Sequence, residues 1–420
     1  MLREMRDGLL PGNSSSLKMI PTYVTKLPTG TEKGVAYALD IGGSNLRVLK
    51  VDLDGSGNAN VDPDNFIIAE IPKHIQESDS KTLFNFIAEQ VARVVKTEAH
   101  VGFTFSFPVN QHSINSGILI HWTKGFTAKG VEKEDIVDLL NRACTEHTTP
   151  IYANVNALIN DTTGTLLSGA YSQLEYEVPM GLILGTGSNA CYIERIENIK
   201  KLEIQTEDKF MIINMESGNF GARNVTSNNK DLPMTKWDII LNEESNNVNQ
   251  QLLEKQISGM YLGEIVRIIL SILIDNGKIF TAYKNKVARL QERYGFPTKI
   301  MSEIEADNSP YLDVVTQQLS AYGIKDSTLE ERKFVKHVVS LVSRRAALLV
   351  AAQIAACLRQ MERENQNVSI AIDGSVYEKY PNFANMIRSN LHKLNLPNVH
   401  LIHAKDGSGV GAALASFLQQ

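Results

Sequence analysis

The sequence predicts an α/β protein built as two similar halves around a cleft, and three observations support this prediction. Apolar runs typical of strands alternate along the chain with amphipathic segments typical of helices. A glycine-rich turn between two apolar runs occurs twice, at residues 38–49 and 182–193, with Gly-Ser-Asn in register. At 420 residues, the chain is too long for one compact core and suits two domains.

Each copy of the turn has the pattern of a β-hairpin. One apolar run leads into Gly42 and Gly43, and the other leads into Gly185 and Gly187. Glycine at such a turn supplies either a positive φ or room for a ligand to approach the backbone. Two such turns facing each other across a cleft would present converging N–H groups to a polyphosphate. The alternative is a pair of ordinary hairpins in which glycine only turns the chain.

The other elements continue this alternation. A short helix and a loop rich in proline and glycine occupy residues 1–33. Apolar side chains at helical spacing predict helices over residues 81–96, 133–144, 257–275, 339–361 and 412–417. Continuous apolar runs predict strands over residues 101–107, 150–155, 368–372 and 400–403. The last two strands end in polar glycine turns, at the carboxyl ends where open α/β sheets bind ligands.

Composition excludes several classes of protein. A net charge of −5 gives no reason to expect a nucleic acid or an anionic membrane as partner. The longest apolar stretch, residues 346–358, is interrupted by Gln353 and is too short for a bilayer span. Cys144, Cys191 and Cys357 are widely spaced in apolar stretches, which is typical of core residues in a reducing compartment. No signal-peptide pattern begins the sequence, so we expect a cytoplasmic protein.

Several polar residues stand near the predicted strand ends: Ser106, Thr123, Lys124, Asn160, Asp161, Asn189, Glu216, Gln251 and Glu254. Taken singly, each has an alternative role as a helix cap, a turn residue or a surface group. As a set, carboxylates and carboxamides suit a sugar, whose hydroxyls each donate and accept hydrogen bonds. The sequence has no metal-ligand spacing, no Walker A sequence and no protein-kinase catalytic loop. Phosphate binding would therefore fall to the paired hairpins.

Seven segments, in a fixed order, resemble the eukaryotic hexokinases and glucokinases, which have a duplicated actin-like ATPase (ribonuclease H-like) fold. These segments are residues 39–47, 102–108, 117–126, 160–165, 185–192, 213–216 and 254–264. The resemblance extends from about residue 19 to about residue 415. It implies a small lobe of residues 34–157 plus 406–420 and a large lobe of residues 1–33 plus 158–405, around a deep cleft.

The resemblance also implies an activity, which is ATP-dependent phosphorylation of the C6 hydroxyl of glucose and of related hexoses such as mannose and fructose, as the first step of glycolysis. ATP and Mg²⁺ would be the cofactors, with no resident metal site, and the protein would be a monomer or a homodimer. Asp161 matches the catalytic base, and Lys124 matches a residue at the transferring group.

Two sets of binding residues follow from the same resemblance. The sugar ligands would be Ser106, Phe107, Thr123, Lys124, Asn160, Asp161, Asn189, Glu216, Gln251 and Glu254. The nucleotide ligands would be Asp40, Gly42, Gly43, Ser44, Asn45, Arg47, Thr186, Gly187, Gly259, Met260 and Ser375.

The sequence departs from the family pattern beside two of the expected sugar ligands. Ser217 stands where the family usually has Trp, and Ala222 stands where Asp is usual. Val248 and Asn249 replace a Pro-Gly pair, and because asparagine tolerates left-handed backbone we expect that turn to survive. These departures concern sugar affinity and selectivity more than catalysis.

Two other functions stay open at this point. One is a catalytically silent sugar sensor on the same fold, because a fold does not fix a function. The other is an actin-like or chaperone-type ATPase that binds protein, although the hydroxyl-binding set would have no purpose there.

Overall fold

The computed structural model describes residues 1–12, 15–43, 45–123, 125–202, 206–223, 229, 231–284 and 287–420, apart from the side chains of residues 288 and 289. The strands in this part of the chain are β1 (Ile20–Pro21), β2 (Lys33–Ile41), β3 (Asn45–Asp54), β4 (Ala59–Glu70), β5 (Ala99–Phe105), β6 (Val109–Ser113), β7 (Ser116–Leu119), β8 (Ala153–Ile159), β9 (Glu177–Leu184), β10 (Ser188–Arg195), β11 (Phe210–Asn214), β12 (Val368–Asp373) and β13 (Val399–His403).

The α-helices are α1 (Leu2–Gly8), α2 (Lys73–Gln76), α3 (Ser80–Ala92), α4 (Ile136–Thr145), α5 (Asp161–Ser172), α6 (Lys236–Glu244), α7 (Glu254–Ile257), α8 (Leu262–Asp275), α9 (Ala288–Gln291), α10 (Thr298–Ala306), α11 (Asp313–Ala321), α12 (Leu329–Gln360), α13 (Ser375–Lys379), α14 (Phe383–Lys393) and α15 (Gly407–Phe417). Short 3₁₀ turns cover Ile196–Asn198, Ser217–Asn219 and Thr281–Tyr283.

Two mixed sheets form the centres of the two lobes. Their strand orders are β4-β3-β2-β5-β8 and β1-β11-β10-β9-β12-β13. In each sheet an antiparallel hairpin, β2/β3 or β9/β10, gains an antiparallel strand on one side and two parallel strands on the other. Apart from the two-residue β1, the second sheet therefore repeats the first. This confirms the α/β class and the predicted duplication, and it gives the two glycine turns equivalent places in the two halves.

Helices α5 and α15 pack against each other between the two sheets. Helix α15 packs on β2 and β5, and α5 packs on β9 and β12. The helices approach at Gly164 and Gly411, where a Cβ on Gly411 would overlap the carbonyl oxygen of Gly164. Thr104 Oγ1, in β5, donates to the carbonyl oxygen of Ser408 at 2.9 Å. The helix pair thus joins the two halves of the molecule.

The apolar side chains form separate clusters for the separate layers. One cluster lies between the five-stranded sheet and helices α3 and α4, and a second surrounds α5 and α15. The largest cluster packs α8 and α12 with their neighbours against the six-stranded sheet. Burying a face of each sheet in this way is the main stabilising contribution to such folds.

Helix α12 begins ten residues before the predicted segment, because Thr328 and Glu331 form a capping box ahead of it. By length and composition it could cross a membrane, yet 67% of its apolar window is buried inside the protein. That burial is typical of the core helix of a globular domain.

Candidate active site

A charged network stands at the first glycine turn. Arg47, in β3, donates to the carboxylate of Asp40, in β2, and to Ser408 Oγ at 2.9 Å. Ser408 Oγ donates in turn to Asp40 Oδ2 at 2.8 Å, and Arg47 Nη1 lies 3.3 Å from Asp406 Oδ1. Burial disfavours the charge on Arg47, but the facing carboxylates outweigh this effect and raise its pKa. This edge of the small lobe therefore carries a fixed cation held in place by carboxylates.

The first turn itself leaves open space beside its backbone. Neither Gly42 nor Gly43 has a positive φ, and a Cβ on either would meet no atom of the described residues within 4 Å. Neither a positive φ nor a close contact within the described residues explains glycine here, and the open space leaves the backbone accessible to a ligand. Asn45 begins β3 with an exposed side chain. Ser44, predicted here as well, lies outside the described residues.

The second turn is supported by the segment that connects α7 and α8. Gly185 N–H donates to the Gly187 carbonyl at 3.0 Å, which closes the turn. Gly259 N–H donates to the Gly185 carbonyl at 2.8 Å, and Met260 N–H donates to the Thr186 carbonyl at 3.0 Å. Thr186 and Met260 are exposed. These predicted nucleotide ligands thus form one connected surface.

Ser375 lies on the same surface. It begins α13 and is exposed, and its N–H is 3.8 Å from where a Cβ on Gly185 would stand. Glycine is favoured at position 187 for a different reason, since a Cβ there would come within 2.7 Å of Glu254 Oε2. The second turn therefore leaves room for the carboxylate of Glu254, a predicted sugar ligand. It also carries predicted nucleotide ligands.

Asn189 is the centre of an amide and carboxylate cluster in the large lobe. Its Nδ2 donates to Asn214 Oδ1 at 2.8 Å and lies 3.5 Å from both Asn160 Oδ1 and Glu216 Oε1. Asn214 Nδ2 donates to Glu216 Oε1 at 2.9 Å. Glu216 has φ 51° and ψ 49°, which is left-handed backbone. The structure thus brings together three predicted sugar ligands and adds Asn214.

Gln251 and Glu254 adjoin this cluster through Gly218. A Cβ on Gly218 would clash with Gln251 Oε1 and would come within 3.0 Å of Glu254 Cβ. Glu254 Oε2 accepts from the N–H of Ser188 at 2.8 Å. Gln251 has φ 54°, and Asn249 before it has φ 64°. The expected left-handed turn at Asn249 is confirmed.

Asp161 opens α5 immediately after Asn160, which caps the helix. Asn160 Oδ1 accepts from Thr162 N–H at 3.0 Å, and Asp161 Oδ1 accepts from the same N–H at 2.8 Å. Because Asn160 also lies beside Asn189, the Asp161 carboxylate adjoins the large-lobe cluster. Lys124, the other predicted catalytic residue, lies outside the described residues.

The small-lobe members of the predicted set are anchored by an aromatic cluster. Phe107 is in edge contact with Trp122 and Phe126 at centroid distances of 5.1 and 5.2 Å, and Trp122 stacks on Phe126 at 5.1 Å. Thr123 lies between these rings in sequence, and its carbonyl accepts from Phe126 N–H at 3.2 Å. Ser106 N–H donates to the Ile41 carbonyl at 3.1 Å, directly before the first glycine turn. We call residues 120–123 and 125–135, which follow β7, the small-lobe loop. The aromatic cluster fixes this loop against Phe107, which follows the Ser106 contact with Ile41.

The sequence predictions missed several residues at this site. Asn214 was not predicted as a site residue, although it lies in the segment 213–216. Asp406 and Ser408 follow β13 in a recognised glycine turn, but their contact with Arg47 joins residues about 360 positions apart. His403 Nε2, at the end of β13, lies 3.8 Å from Asp373 Oδ1.

Models of known protein families match nearly the whole sequence of this chain. Two family models, both described as hexokinase, match residues 1–171 and 179–418. The chain belongs to the hexokinase family. It is 40% identical over 434 residues to hexokinase-7 of Oryza sativa subsp. japonica, covering 99% of this chain and 91% of that one. It is 40% identical to hexokinase-1 of Spinacia oleracea over 437 residues, covering 99% and 85% of the two chains.

A solved structure supports the same hexokinase assignment. The hexokinase from Schistosoma mansoni complexed with glucose has a TM-score of 0.84 to this chain and 33% identity, with 99% of this chain and 93% of that one covered. The protein is therefore an enzyme of the hexokinase class with the duplicated actin-like fold that the sequence predicted. Members of this family phosphorylate hexoses.

Proposed function

We propose that this enzyme transfers the γ-phosphoryl group of ATP to the C6 hydroxyl of glucose, and of mannose and fructose, as the first step of glycolysis. The observation that carries the proposal is the position of the Asp161 carboxylate. It stands at the start of α5, next to Asn160, and so adjoins the amide and carboxylate cluster around Asn189 and Glu216. A base at this position reaches a sugar hydroxyl held by that cluster.

The sugar would be held by groups that can each bind a hydroxyl. Glu216, Glu254 and Asn189 offer carboxylate and amide oxygens from the large lobe. Ser106 follows β5 and Thr123 stands on the small-lobe loop. Asp161 would accept the proton of the C6 hydroxyl as its oxygen attacks phosphorus. Lys124, by the family resemblance, would stabilise charge on the transferring group.

The nucleotide phosphates would lie between the two glycine turns. The open space at Gly42 and Gly43 would admit phosphate oxygens to the backbone, with Arg47 as a cation beside them. Thr186 and Met260, exposed on the second turn, would face the rest of the nucleotide. The surface formed by residues 185–187, 259–260 and 375 fits one extended ligand.

Mg²⁺ would arrive with ATP. Among the described residues no group of three or more His, Cys, Asp or Glu could hold a metal ion alone. Asp40 fits the alternative, because Mg²⁺ is commonly bound by one or two carboxylates together with substrate phosphates. The ion would neutralise phosphate charge during the transfer.

Initial rates and one substitution test this proposal. Purified protein with ATP and Mg²⁺ should form glucose 6-phosphate, with mannose, fructose and glucosamine in the same panel to rank the hexoses. Asp161→Ala should lower kcat by about 10³-fold or more, as expected when a positioned base is lost, while keeping most of the affinity for glucose in calorimetry. Asp138→Ala is the matched control, because Asp138 is an exposed carboxylate in the first turn of α4.

Two results would reject the proposal. Glucose binding without turnover by the wild-type protein would favour the silent sensor. Full activity of Asp161→Ala would remove the proposed base.

We further propose that the enzyme works in the cytoplasm as a monomer or homodimer. All three cysteines are free and buried, and burial raises the pKa of Cys144 to about 11 and that of Cys191 to about 12, which suits unreactive core thiols. One related rice protein is named hexokinase-4, chloroplastic. Imaging of the tagged full-length protein in its own cells, and light scattering of the purified enzyme, test the two statements.

A further inference from the structure

A buried hydrogen bond joins the long helix α12 to the turn that carries Glu216. Gln353 Nε2 donates to Ser217 Oγ at 2.9 Å. Gln353 is 1% exposed and Ser217 is 0% exposed. On its helix Gln353 is surrounded in sequence by buried Val350, Ile354 and Cys357. A polar side chain has thus been placed on the apolar face of a core helix.

Stability alone does not explain this glutamine. Its Oε1 is buried and has no hydrogen-bond partner within the described part of the chain. An unsatisfied buried acceptor costs about 1–3 kcal/mol, whereas a leucine of similar size would pack on the same face without that cost. A residue that lowers stability at a buried position, next to a functional site, points to a role in the site.

The bond acts on a strained turn. Glu216 adopts left-handed backbone, which is unfavourable for a residue with a side chain and persists only where neighbours hold it. Ser217 N–H donates to Asn189 Oδ1 at 3.0 Å, so the site side of the turn is fixed by Asn189. The Gln353 bond fixes the same residue from the core side.

Helix α12 also contacts the residue before Glu216. Cys357 Sγ lies 3.6 Å from Met215 Sδ, and both side chains are buried. Residues 353 and 357 are one helical turn apart and contact positions 217 and 215. The helix therefore holds both neighbours of Glu216 at once, and Glu216 is directed away from the core into the cluster with Asn189 and Asn214.

We infer that Gln353 is a positioning residue for sugar recognition: through Ser217 it holds the left-handed turn that aims the Glu216 carboxylate at the hexose. The inference rests on the proposed function for the identity of the ligand. It also explains how the chain accommodates Ser217 in place of the tryptophan usual in the family, because the small hydroxyl is tied to the core by a hydrogen bond rather than by packing. Gln353 touches neither substrate, so its effect is on sugar affinity rather than on phosphoryl transfer.

Gln353→Leu tests the inference. Glucose affinity is measured by calorimetry without ATP, and initial rates are measured with glucose varied at saturating ATP and with ATP varied at saturating glucose. We expect the Kd and KM for glucose to rise about tenfold, while kcat and the KM for ATP stay within about twofold of wild type. A general loss of folding would instead lower the active fraction and leave the KM values unchanged.

Two further variants keep the test decisive. Ser217→Ala removes the acceptor of the same bond and should raise the glucose Kd as Gln353→Leu does. The double variant should be no worse than either single variant, because both act through one contact. Gln360→Leu is the matched control, since Gln360 donates to Glu194 at 3.0 Å from the same helix, outside the site, and its loss should leave glucose affinity unchanged.

The outcomes separate this inference from the proposed function. Wild-type affinity for glucose in both Gln353→Leu and Ser217→Ala overturns the inference, and so does additivity in the double variant. If the wild-type protein binds glucose but forms no glucose 6-phosphate, the proposed function fails, while the glucose Kd still tests the role of Gln353.

Discussion

Arg47 joins several polar groups beside the first glycine turn, where we propose that the phosphates of ATP bind. Its guanidinium contacts Asp40, Ser408 and Asp406 at once. Lysine carries the same charge but lacks the planar fork that makes these contacts together. We expect Arg47→Lys to raise the KM for ATP about tenfold, with a smaller change in the KM for glucose, in initial-rate measurements.

Arg363→Lys provides the control for that measurement. Arg363 also binds a carboxylate with two donors, at 2.7 and 2.8 Å from Glu177, but it lies away from both glycine turns. This control should lose some stability and keep its KM for ATP. Equal KM values for ATP in wild type and Arg47→Lys would contradict the role given to Arg47.

Lys255 should make the free energy of unfolding depend on pH. It is 2% exposed, and burial lowers its pKa to about 8 although Glu254 beside it favours the charge. The pKa of lysine in an unfolded chain is about 10.4. Between these values the unfolded chain binds a proton that the folded protein has released, so the free energy of unfolding rises with pH.

Urea unfolding of wild type and Lys255→Met from pH 7 to pH 10 measures this contribution. We expect the wild-type free energy of unfolding, relative to that of the variant, to increase from about pH 8 upward. Lys201, whose pKa burial also lowers to about 8, is present in both proteins and cancels. Parallel profiles across the range would show that Lys255 does not carry the effect.

At the scale of elements, the crossing of α5 and α15 depends on two glycines. A Cβ on Gly411 would overlap the backbone of Gly164, and neither backbone can move without shifting a helix. Gly411→Ala should lower the free energy of unfolding by at least about 3 kcal/mol, at or beyond the upper range for overpacked cores. Thermal or urea unfolding checks this value.

Gly409→Ala is the matched control in the same helix. A Cβ there would lie 3.1 Å from the Leu49 side chain, which can adjust, and alanine favours helix over glycine by about 1 kcal/mol. We expect little loss of stability in this variant. Equal destabilisation by the two substitutions would mean that the contact with Gly164 does not cause the loss of stability in Gly411→Ala.

The elements also show which parts of the fold local sequence can predict. The two hairpins were predicted because an apolar run, a glycine turn and a second apolar run are adjacent in the chain. The helix 412–417 was predicted too short at its start, because Gly407, Gly409 and Gly411 argue locally against helix. Their presence in α15 is decided by the packing against α5, which no local pattern contains.

The site also has parts that local sequence can predict and parts that it cannot. Glu216, Asn160 and Asn189 could be selected from sequence because polar residues at strand ends are unusual in apolar surroundings. The Gln353 bond to Ser217 and the Arg47 contact with Ser408 could not be, because each joins residues more than 130 positions apart. Long-range contacts of this kind depend on the complete topology rather than on any one segment.

At the scale of the whole molecule, the expected ligands are divided between the lobes. Ser106, after β5, and Thr123, on the small-lobe loop, adjoin the aromatic cluster in sequence, whereas Glu216 and Glu254 belong to the large lobe. A sugar bonded to both sets would draw the lobes together and exclude water from the phosphoryl group. Glucose alone should therefore compact the protein, without nucleotide.

The two tryptophans allow this compaction to be followed in solution. Trp122 stacks on Phe126 at 5.1 Å and its Nε1 donates to the Ala128 carbonyl at 2.9 Å, within the small-lobe loop. Trp237 belongs to α6 of the large lobe, and its ring centroid lies 4.2 Å from Lys236 Nζ. The chain has two tryptophans, so Trp237→Phe leaves Trp122 as the only indole.

The fluorescence of Trp122 in this variant should change with glucose at the same midpoint as the decrease in radius of gyration from X-ray scattering. L-glucose at equal concentration should change neither. If the scattering curve stays constant at glucose concentrations that saturate turnover, the lobes do not close on the sugar, and exclusion of water would have to come from the small-lobe loop alone.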